Sequence, residues 1–71
     1  MAHKTLIDFN TAYEGILHSN LSSRDKTLKY SELMTEMEQV FNIPIVKDDE
    51  YEQANRAVIA LYRKISMSRS L

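Results

Sequence analysis

Seventy-one residues with a formal net charge of −1, no cysteine, one glycine and one proline make up the chain. A chain this short forms one domain with a small core, and the lack of cysteine excludes disulfides, thiolate metal sites and thiol nucleophiles. So little turn material disfavours a sandwich or barrel and predicts an all-α fold of a few helices with short connections.

The first predicted helix covers residues 5–18. Thr5 and Asp8 stand at capping-box spacing, and Leu6, Phe9, Tyr13, Ile16 and Leu17 recur at steps of three and four, with Ile7 and Ala12 beside the stripe. Gly15 interrupts this helix at a cost of about 1 kcal/mol relative to alanine, which suggests close approach by another helix. His18 suits the negative end of the helix dipole, and Asn20 is expected to supply a left-handed stop.

Ser22, with Asp25 three residues on, opens a second predicted helix over residues 23–41. Tyr30, Leu33, Met34, Met37, Val40 and Phe41 form its apolar face, with Leu28 to the side. Glu32, Glu36 and Glu38 lie on the outer surface. Glu32 and Glu36, one turn apart, repel by a few tenths of a kcal/mol, and a nearby cation would relieve them.

Residues 42–47 break the helical pattern. Pro44 disfavours helix at Ile43, and Asn42 is the expected stop for the second helix. Ile43, Ile45 and Val46 are apolar for a connection, which allows two readings: a plug on the end of the bundle, or an exposed strip that binds a partner.

The third predicted helix spans residues 49–67. Tyr51, Ala54, Val58, Leu61, Tyr62 and Ile65 lie on one stripe, with Asp49 as the expected cap, Glu52 reaching back to it and Asp48 as the neighbouring alternative. Its acidic start and basic end match the dipole, and nineteen residues make a rod of roughly 28 Å. Residues 68–71 read as a fraying tail. The expectation is a small three-helix domain, a helix hairpin plus a third packed helix, which dimerisation would complete as a larger bundle.

Charge is distributed unevenly. Residues 30–52 sum to −6 and residues 53–71 to +4, so complementary surfaces are expected between neighbouring helices or between two copies. Met1 to Thr5 has no apolar leader core and no run approaches the roughly 18 residues that cross a bilayer, which predicts a cytoplasmic protein. Glu14 and His18 sit one turn apart, but two ligands do not make a site, and neither a metal nor another cofactor is expected. No glycine-rich phosphate loop or convergent nucleophile and base is present in the pattern.

A non-enzymatic protein-interaction module, self-associating as a homodimer, is therefore the expectation, with Met34, Met37, Ile43, Ile45 and Leu61 as candidate partner-binding residues. The alternative is a nucleic-acid-binding regulator using a local patch of Arg24, Lys26 and Lys29, against which the net charge argues. The run from Glu32 to Ile45 resembles the second helix and following loop of acyl carrier proteins. That family carries phosphopantetheine on the serine of an Asp-Ser-Leu motif. The corresponding place here reads Lys26-Thr27-Leu28, which lacks the attachment serine.

Overall fold

Thr5 starts the first helix as its chemistry requires. In this computed structural model, which describes residues 4–69, α1 runs over Leu6–Leu17. The Thr5 hydroxyl accepts from the Asp8 N–H at 3.3 Å, and the Asp8 carboxylate accepts from the Thr5 N–H at 2.9 Å, so the capping box is closed. At the far end the His18 N–H donates to the Glu14 carbonyl and the Ser19 hydroxyl to that of Ile16. The Lys26 ammonium, reaching across from the next helix, donates to the Leu17 carbonyl at 3.0 Å. Asn20 is not left-handed, contrary to expectation; a hydroxyl and a cation satisfy these carbonyls instead.

Gly15 has no close neighbour from another element: apart from its chain neighbours and the backbone of its own helix, nothing lies within 4 Å of where a Cβ would stand. The expected close helix approach is absent at this position. Gly15→Ala should therefore stabilise the domain by about 0.5–1 kcal/mol, through helix propensity and a less flexible unfolded chain, and raise the thermal midpoint by several degrees. A circular dichroism melt checks this; an unchanged or lower midpoint would contradict it.

The second helix, α2, covers Ser23–Val40, with the Ser22 hydroxyl accepting from the Asp25 N–H. It stops where the sequence indicates. Asn42 has φ 53°, the only positive φ among the described non-glycine residues, and the Ile43 N–H turns back to the Glu38 carbonyl at 3.1 Å. This is the six-to-one bond of a Schellman stop, and it aims Ile43 at the core. Val40 is more exposed than its place on the stripe suggested, whereas Phe41 packs its ring 5.4 Å from that of Phe9.

The expected third helix is two helices. α3 covers Asp49–Ala54 and α4 covers Arg56–Arg69, with the break at Asn55, where φ is −131° and ψ is 46°. The Tyr51 carbonyl accepts both the main-chain and the side-chain N–H of Asn55, a local bond that competes with helix continuation. Asp48 rather than Asp49 caps α3, accepting from the Tyr51 N–H at 3.1 Å. Glu52 is therefore free of the expected box and pairs with Arg63 of α4. Ser68 and Arg69 are helical, not a frayed tail, and the Ser68 hydroxyl meets Tyr13 Oη at 2.7 Å. Residues 70 and 71 lie outside the described region.

Helices α1, α2 and α4 form the bundle, each antiparallel to its predecessor. Tyr13 stacks near Tyr30 at 5.6 Å, Tyr62 bonds Glu38 and Tyr13 reaches Ser68, which fixes the three registers. The core holds Phe9 and Tyr13 from α1, Tyr30, Leu33, Met34 and Met37 from α2, and Leu61 and Ile65 from α4. Each such side chain contributes about 1.5–3 kcal/mol by leaving water. α3 buries none of its residues and lies on α4 outside this core.

Candidate interaction surface

Of the five residues singled out as partner-binding, three are interior. Met34, Met37 and Leu61 belong to the core cluster, so the methionines fill space between helices and offer no adaptable outer face. Ile43 is half-buried against that cluster, as a plug. Ile45 alone is at the surface, and fully so at 104% exposure, with Val46 beside it at 78%. The two readings of the connection are thus divided at Pro44: the residue before it plugs the bundle and the two after it project into solvent.

The projecting pair is held at both ends. Upstream stands the bond from Ile43 to Glu38; downstream, Asp48 caps α3 and the Tyr51 hydroxyl donates to the Phe41 carbonyl at 2.6 Å. At the same pole of the bundle, where α1 begins and α2 ends, α1 and α4 diverge around a cleft of about 290 Å³ lined by Leu6, Ile7, Asn10, Ala57 and Leu61. Ile7 stands on its rim, 76% exposed. Its position off the three-and-four stripe of α1 was the available signal, since a residue there turns away from the core.

Charge is sorted along the bundle. Residues 4–11 and 34–62 carry three cations and seven carboxylates, a net −4, whereas residues 12–33 and 63–69 carry six cations and three carboxylates, a net +3. Antiparallel packing produces this polarity, because it sets the basic start of α2 beside the basic end of α4. Arg24 and Lys29 are exposed at the basic pole, while Lys26 is engaged with Leu17 and Lys64 lies 5.5 Å over the Tyr13 ring.

Several acidic groups already have partners. Glu36 bonds Lys4 at 3.0 Å, which relieves its repulsion from Glu32, and Glu52 pairs with Arg63. Glu52–Arg63 is the one ion pair among the described residues that joins the acidic middle of the chain to its basic end, and it lies between α3 and α4. Glu14 accepts from the Asn10 amide at 3.2 Å, and no group of three or more potential metal-ligating His, Asp or Glu side chains occurs among the described residues. A second cleft, of about 420 Å³, separates α3 from α4, with Ile59 and the Glu52–Arg63 pair in its walls.

Three tyrosines hold their protons more tightly than usual. Burial raises Tyr30 and Tyr51; a smaller contribution at Tyr30 comes from Tyr13. Tyr62 is pushed up to about 12, first by burial and then by its hydrogen bond to the Glu38 carboxylate and that group's charge, with Arg69 opposing. The unfolded chain releases these protons near pH 10, so above that value it gains ionisation that the fold resists. Stability contributed by Tyr62 is present below pH 10 and declines as pH rises towards about 12. The thermal midpoint should fall over that interval, and less steeply in Tyr62→Phe, as measured by melts at stepped pH; equal slopes would contradict the linkage.

No described helix is long and apolar enough to cross a membrane. No protein-family model, curated protein or solved structure matches the chain.

Proposed function

We propose that the chain is a small, non-enzymatic, cytoplasmic interaction module that associates with a second copy of itself through the pole bearing Ile45, Val46 and the cleft between α1 and α4. The observation that carries the reading is the full exposure of Ile45 within a short connection anchored on both sides, at the end of the bundle that also holds the cleft rimmed by Ile7. Single exposed apolar residues are ordinary on any surface. A held apolar pair is a docking feature, because burying each side chain gains about 1.5–3 kcal/mol while its backbone is already ordered.

Charge sets the orientation. Two acidic poles repel, so the favoured arrangement is side by side and antiparallel, with the Ile45-bearing acidic half of each copy docked on the basic half of the other. Such a contact closes as a twofold pair. The side chains with chemical potential are largely satisfied by one another, Glu52 by Arg63, Glu38 by Tyr62 and Glu36 by Lys4, which suits a structural and binding role. Light scattering on a sizing column over a hundredfold concentration range tests the reading. A dimer that dissociates on dilution and weakens with added salt is the expected result; a monomer at every concentration would overturn it.

A second reading rests on the basic pole, where Arg24 and Lys29 stand open at the end shared with Arg69. Duplex DNA binding at low salt that weakens steeply as salt rises, and that falls in an Arg24→Gln, Lys29→Gln variant, would favour it. Lys26, held at the end of α1, contributes less to such a patch than the sequence suggests.

A further inference from the structure

We infer that α3 is a detachable strap, hinged at Asn55, which alternates between lying on α4 and continuing it as one straight helix. The inference is independent of self-association and rests on three observations. The apolar stripe Tyr51, Ala54, Val58, Leu61, Tyr62, Ile65 runs through Asn55 without a change of phase, so the sequence encodes a continuous helix. The fold breaks that helix at one residue, and main-chain bonds flank the break on both sides, from the Asn55 N–H to the Tyr51 carbonyl and from the Ile59 N–H to the Asn55 carbonyl. No residue of the strap is fully buried, Tyr51 and Glu52 being half-buried, and it is anchored by the Tyr51 hydroxyl on the Phe41 carbonyl and the Glu52–Arg63 pair.

What α3 covers is distinct from the core. Ile59 is 9% exposed yet stands outside the main cluster, lining the cleft whose other wall is α3. Released, α3 would extend α4 into a rod of about 32 Å and leave Ile59, Arg56 and Arg63 on an open face. Continuity of the helix restores i→i−4 bonding across Asn55, which offsets the two lost anchors. The two states therefore exchange similar numbers of bonds, the condition for an element with two arrangements.

The states differ in length. Asp49 and Met67 are exposed, and in a continuous helix their backbones stand roughly 27 Å apart, a separation that the folded-back strap cannot reach because Glu52 touches Arg63. The chain has no cysteine, so nitroxide labels placed through Asp49→Cys and Met67→Cys are unique. Pulsed electron resonance on labelled chain diluted into unlabelled protein reads only intramolecular distances. A short distance with a resolved second population near 27 Å is the expected result, the second population growing at least threefold in Asn55→Ala and in Tyr51→Phe, Glu52→Gln. Should Asn55→Ala fail to fold, the second variant, which leaves the core intact, decides. A single short distance in folded variants would overturn the strap, whatever the oligomeric state.

Discussion

Phe9→Ala is expected to abolish cooperative unfolding. Phe9 is completely buried, its ring meets Phe41 at 5.4 Å, and the Lys4 ammonium lies 5.2 Å from its centroid while also bonding Glu36. Truncating a buried phenylalanine costs about 3–5 kcal/mol, part from lost transfer and part from the cavity left behind. A domain of this size commands only about 3–5 kcal/mol in total, so the loss is comparable to the whole stability. The variant should show reduced helical signal at 25 °C and a broad, non-cooperative melt. Phe9→Leu retains most of the volume and should keep a cooperative transition, lowered by about 1–2 kcal/mol. A Phe9→Ala melt as sharp as the parent's, within a few degrees, would show that the contact between α1 and the end of α2 does not hold the bundle together.

Ile45→Asp is expected to lower self-association at least thirtyfold while leaving the melt of the monomer unchanged. The fall corresponds to about 2 kcal/mol, the loss typical of a residue central to an interface. No such loss is expected within the fold, because the side chain is fully exposed and a surface change away from special features moves stability by about 0.5 kcal/mol or less. Val46→Asp should act in the same direction. Leu61→Asp supplies the contrast: Leu61 is in the core, so a carboxylate there is buried without a partner and the helices should melt before any effect on association can be read. Light scattering gives association and circular dichroism gives helicity. A fully dimeric Ile45→Asp would remove this connection from the interface and turn attention to the exposed rim at Ile7.

The features legible in the sequence are those whose partners lie close along the chain. The Thr5 and Asp8 box, the Ser22 cap and the left-handed stop at Asn42 each join residues no more than about one helical turn or a single Schellman loop apart, so residue type and spacing determine them. The same holds for the apolar stripes. Phe9, Tyr13, Tyr30, Leu33, Met37, Leu61 and Ile65 recur at the helical period, and burying such a stripe is the main favourable term available to a small all-α chain.

Much of the candidate surface was not legible, because exposure depends on where other elements lie. Met34 and Leu61 sit at positions that an interface could have claimed, and only the packing of α1, α2 and α4 against one another shows them to be interior. Ile43 and Ile45 are alike in type and differ in burial because the Schellman bond turns one inward before Pro44 carries the chain outward. The break at Asn55 is the clearest case. Periodicity runs straight through it, whereas the anchors that hold α3 in place join Tyr51 to Phe41 and Glu52 to Arg63, residues ten and eleven apart in sequence. A stripe specifies which face of a helix seeks apolar company, but contacts between separate elements decide whether that helix stays whole, and those contacts exist only once the chain has folded.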